Sequence, residues 1–79
     1  MMKILTYSLQ KRGEDMKTVL DVRNLLKKFG VFIYTGDRIG DLELMQAELK
    51  GLYEVKLIDV MTYQNAIVIL KKEISDLRT

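Results

Sequence analysis

The chain is predicted to be an all-α, three-helix up-down-up bundle. Three observations predict it. Three segments place apolar residues three or four positions apart, the spacing of one helical face. Proline, which breaks helix interiors, is absent from all 79 residues. Each of the three segments also opens on a capping residue (Thr18, Asp37 and Asp59).

The first helix is expected over Val19–Phe29. Thr18 followed by Asp21 makes a capping box with Asp in place of the preferred Glu or Gln. Val19, Val22, Leu26 and Phe29 share one face. Lys27 and Lys28 fall in the last turn, where cations complement the helix dipole, and Gly30 suits the position just past the end. The next stretch, VFIYTGD, is rich in β-branched and aromatic residues that disfavour helix. With no second strand to pair with, it is expected to be an extended, partly buried connector.

The second helix is expected from Asp37 or Arg38 to Glu54, with Asp37 as its N-cap. Ile39, Leu42, Met45, Leu49 and Leu52 form its apolar face, and Gly40 and Gly51 weaken it by about 1 kcal/mol each relative to alanine. The third helix, from about Val60 to Leu77, has Asp59 as N-cap. Its stripe is the strongest in the chain: Val60, Tyr63, Ile67, Leu70, Ile74 and Leu77, with Ala66 allowing close approach of another helix. Leu20, Leu25, Leu44, Val68 and Ile69 fall outside the main stripes. They read either as the edges of wide core-facing faces or as a self-association surface.

Residues 1–15 stand apart. Lys11–Asp15, just before Met16, are encodable by AAA AGA GGT GAA GAT. That string contains GAGGTGA, complementary to the end of bacterial small-subunit ribosomal RNA. The expectation is that translation starts at Met16 and that residues 1–15 are a poorly packed extension. The alternative is a polar linker after a short N-terminal helix. Residues 16–79 then form the domain.

Composition removes most chemistry. The chain has no histidine and no cysteine, which excludes Ser-His and Cys-His nucleophiles, disulfides and the usual zinc ligands. Phosphate-binding glycine loops are missing as well. The carboxylates Asp37 and Asp41, one helical turn apart, are expected on a solvated face. No enzyme activity, cofactor or small-molecule substrate is expected. No segment is apolar enough to span a membrane and no export signal is visible, so a cytoplasmic location is expected.

What is left for function is surface. A net charge of +2 is too small to imply a polyanion partner by itself. In an up-down-up bundle, however, Lys27, Lys28, Arg38, Lys71 and Lys72 gather at one end. Tyr34-Thr35-Gly36-Asp37-Arg38 opens a helix there: Arg38 offers a phosphate contact and Tyr34 a stacking face. The same residues also read as a capped turn with Gly36 at positive φ and Tyr34 packed.

The strings LLKKFGVFIYTGDRIGDLELMQAELKGLYEVKLID and YQNAIVILKKEI resemble the YqgQ-like family, short cytosolic proteins of Gram-positive bacteria. FIYTGDRI and QNAI are the most specific parts, and the resemblance covers about residues 16–75. Family members usually begin near this Met16. The resemblance implies a three-helix bundle and a single-stranded RNA or DNA partner. The candidate contact residues are then Lys27, Lys28, Tyr34, Arg38, Lys71 and Lys72. The competing expectation is a protein-interaction module or homo-oligomer that does not bind nucleic acid.

Overall fold

The computed structural model describes residues 16–79; the expected N-terminal extension lies outside the described residues. Three helices follow one another: α1 (Val19–Lys28), α2 (Arg38–Glu54) and α3 (Val60–Arg78). No strand occurs among the described residues. The helices pack into a three-helix bundle.

Two of the three expected caps form. The Thr18 hydroxyl accepts from the Asp21 amide at 3.2 Å, and the Asp21 carboxylate accepts from the Thr18 amide at 3.0 Å, which completes the capping box of α1. Asp59 accepts from the Thr62 amide at 2.8 Å and caps α3. Asp37 occupies the N-cap position of α2 but makes no side-chain cap bond. Its own amide instead donates to the Thr35 hydroxyl at 3.3 Å.

Helices α1 and α2 end in the same way. At the end of α1, the Gly30 amide donates to Lys27 O and the Val31 amide to Leu26 O, each at 3.0 Å. At the end of α2, the Lys56 amide donates to Tyr53 O and the Leu57 amide to Leu52 O, each at 2.9 Å. Both patterns are Schellman motifs, which need one residue in the left-handed region. Gly30 takes φ +78° at the first, and Lys56 takes φ +66° at the second.

Val22, Leu26, Leu42, Met45, Leu49, Ala66, Leu70 and Ile74 from the helices, with Ile58 from the second connection, form the core. Ala66 is fully buried, as a residue permitting close helix approach should be. Val60 and Leu77, at the ends of the expected α3 stripe, are exposed. Of the apolar positions outside the stripes, Leu25 and Ile69 pack against the core, whereas Leu20, Leu44 and Val68 face solvent. Helices α2 and α3 form an antiparallel hairpin. Tyr53 stacks on Tyr63 beside the turn, with ring centroids 4.7 Å apart. At the open end, Arg38 pairs with Glu73 at 3.2 Å and Arg78 with Glu43 at 3.1 Å.

Candidate functional site

The connector between α1 and α2 is the unusual part of the molecule. After the Schellman turn, the chain reverses and runs back along α1. The Arg23 guanidinium crosses from α1 and donates to the Ile33 carbonyl at 2.8 Å. In this extended stretch alternate side chains face opposite ways. Val31 and Ile33 pack against the core, and Phe32 and Tyr34 point outward, 74% and 85% exposed. Two aromatic rings on the same side of an extended segment, both open to solvent, form an apolar strip that burial would favour but the fold leaves uncovered.

The connector is tied down at its far end by Asp41. This aspartate is 2% exposed, and no other buried polar or charged residue occurs among the described residues. One of its carboxylate oxygens accepts from the Thr35 amide at 2.9 Å and from the Thr35 hydroxyl at 2.6 Å. The hydroxyl bond is the main cause that holds its pKa below the ordinary 3.8. Burial opposes that shift, while the Thr35 amide, Arg23 and Arg38 reinforce it. Asp41 is thus not the solvated helix-face carboxylate that its spacing from Asp37 suggests. Thr35 lies six residues earlier and folds over it, so the carboxylate is shielded from solvent. Gly36, at φ +92°, makes the turn that follows.

Beside the aromatic strip is a shallow groove of about 310 Å³. Its floor is Leu26, Val31, Ile33 and Met45; Arg23 and Lys27 supply cations, and Phe32 and Tyr34 the aromatic edge. The structure therefore brings Lys27 and Tyr34 together, and Lys28 is exposed in the same last turn of α1. Arg38 and Lys72 meet elsewhere, in a groove with Lys17, Leu20 and Val68. There, Arg38 pairs with Glu73 and Lys72 with Asp76, which reduces the charge they offer. Lys71 lines a third groove with Glu43 and Arg78. The returning connector explains the separation: it delivers Arg38 beside Lys17–Leu20 at the start of α1, while Lys27 and Lys28 stay at its end.

Phe32 and Arg23 were not among the sequence candidates. The alternation of Val31, Phe32, Ile33 and Tyr34 carries the signal for Phe32, because an extended segment with two residues inward must turn the other two outward. Nothing local marks Arg23, whose partner is a carbonyl ten residues away. Among the described residues no group of acidic side chains is placed to hold a metal ion, and no helix is long and apolar enough to cross a membrane.

Comparison with known proteins places this arrangement in a family. The model of the YqgQ-like family matches residues 16–76, nearly all of the described chain. The protein belongs to the YqgQ-like family. A relative from Bacillus subtilis (strain 168), named uncharacterized protein YqgQ, is 42% identical over 59 residues, covering 75% of this chain and 83% of its own. The matched region of the YqgQ-like family thus takes in α1, the connector bearing Phe32 and Tyr34, α2, and α3 as far as residue 76.

Proposed function

We propose that this protein is a non-catalytic cytoplasmic binder of single-stranded nucleic acid, weak and of low sequence specificity. The observation that carries this reading is the exposed Phe32–Tyr34 strip beside Lys27 and Arg23. Unpaired bases present flat faces that stack on aromatic rings regardless of sequence, and neighbouring cations track the phosphates. Duplex DNA hides those faces. Lys28 is exposed in the same last turn of α1, and Lys71, Lys72 and Arg38 line other grooves that a longer strand could reach.

The test is fluorescence anisotropy of a labelled single strand titrated with protein at several salt concentrations. If Arg23, Lys27 and Lys28 each meet a phosphate, log K falls against log salt with a slope of about −2. Tyr34→Ala weakens binding by about fivefold to a hundredfold, the usual worth of one stacked base. Absence of binding at low salt rejects the function. Unchanged binding in Lys27→Gln/Lys28→Gln and in Tyr34→Ala rejects this surface.

A second reading has its own observation. Leu20, Met61 and Val68 are each at least 60% exposed, and Val68 lines grooves with both Leu20 and Met61. Such a patch favours self-association. Light scattering decides it: a monomer at high concentration counts against that reading, and a dimer that Val68→Glu dissolves supports it.

A further inference from the structure

We propose that Thr35 and Asp41 form a latch that positions the Phe32–Tyr34 strip for its ligand, a positioning role that rests on the binding reading above. The connector has no helix or strand of its own to fix its side chains. Beyond the inward packing of Val31 and Ile33, its outward presentation of two large rings depends on a few hydrogen-bonded contacts. Three span its length. The Val31 amide is held by Leu26 O, the Ile33 carbonyl by Arg23, and Thr35 by Asp41.

The last of these differs from the others in kind. It is bidentate from Thr35, it is made to a buried carboxylate, and its hydroxyl bond of 2.6 Å is short, as charge-assisted hydrogen bonds are. It also sits next to Tyr34, the more exposed ring. A segment ordered before binding does not lose that freedom on binding, so the latch raises affinity without touching the ligand. Thr35 and Asp41 are accordingly positioning residues. Loss of the Thr35 hydroxyl leaves every cation and both rings in the sequence but frees the strip that carries them.

The experiment compares Thr35→Val, which removes the hydroxyl and keeps the shape, with Thr35→Ser, which keeps the hydroxyl. Two readouts are taken on the full chain. The first is amide hydrogen exchange of the ligand-free protein. The Val31 and Thr35 amides, which donate to Leu26 O and Asp41, should exchange about tenfold faster in Thr35→Val, the freedom of one released residue. Thr35→Ser should match the wild type, with α2 and α3 unchanged in both. Unchanged exchange in the connector, or equal acceleration throughout the bundle, overturns the latch.

The second readout is anisotropy with a fluorescein-labelled oligo-deoxythymidine strand. Thr35→Val should weaken binding about tenfold at an unaltered salt slope, because the phosphate contacts are intact. The same substitution in a Phe32→Ala/Tyr34→Ala background should have no further effect. An equal loss in both backgrounds overturns the positioning role, since Thr35 would then act independently of the rings. If the wild type fails to bind the strand at low salt, the binding reading falls, while hydrogen exchange still decides whether the latch orders the strip.

Discussion

The two Schellman motifs make a matched pair that isolates the cost of one backbone conformation. The perturbation is Lys56→Gly. Lys56 is exposed, makes no ion pair among the described residues and takes φ +66°. An L-residue in the left-handed region costs roughly 1–2 kcal/mol. Glycine relieves that cost but returns about 0.5–1 kcal/mol through the greater freedom of the unfolded chain. The net expectation is a stabilisation of about 0.5–1 kcal/mol, which in a domain of this size raises Tm by about 2–8 °C. Gly30→Ala runs the same change backwards at φ +78°. A Cβ there meets no atom within 4 Å, so any destabilisation comes from the backbone and not from a clash. Gly51→Ala is the third arm. Gly51 lies inside α2 at ordinary helical geometry with open space around it, and alanine should stabilise by about 0.5–1 kcal/mol. Urea unfolding followed by circular dichroism reads all three. If Lys56→Gly is neutral or destabilising while Gly30→Ala is costly, the two turns do not share the energetics that their hydrogen bonds imply, and the reasoning is refuted.

The caps give a second set. Thr18→Ala and Asp59→Ala should each cost about 1 kcal/mol by urea unfolding, because both side chains satisfy helix-end amides. Asp37→Ala should stay within about 0.5 kcal/mol, because its side chain caps nothing. Truncating fully buried Leu49 or Leu70 to alanine should cost about 2–5 kcal/mol. That is comparable with the whole stability of so small a domain, and thermal denaturation should show the cooperative transition shifted far down or lost. Asp41 makes stability depend on acid. Its folded pKa is below the ordinary 3.8, so its carboxylate contributes fully above that value and the contribution is lost as pH falls through the lower, folded value. The groups facing it are Thr35, Arg23 and Arg38. The Tm difference between wild type and Asp41→Asn should therefore be constant near neutrality and shrink below pH 3.8. A difference that stays constant to low pH would contradict this assignment.

The candidate site was partly legible in the sequence, for reasons that differ by residue. Tyr34 and Lys27 were visible as residue types next to a helix end, and the structure puts them on one groove. Phe32 was visible only through alternation within a short segment, a period too brief to stand out beside three long helical stripes. Grouping the cations required the path of the connector. A stretch joining two helices was expected to deliver the end of one beside the start of the next. Instead it runs back along α1, so Arg38 starts near Lys17–Leu20 and its charge is paired with Glu73.

The sequence by itself determined the three helices, two working caps, the glycine turn after α1 and nearly all of the core, because each depends on neighbours within about one helical turn or on a face repeated at that period. Family membership was legible in contiguous strings running from the end of α1 through most of α3. Only the tertiary structure decided the fate of Asp41 and of the connector. Whether a carboxylate is solvated or buried under a threonine six residues away depends on where the chain turns between them. Whether an aromatic residue packs or stands exposed depends on which side of an extended segment the core happens to meet. Those are contacts between separated parts of the chain, and no local period encodes them.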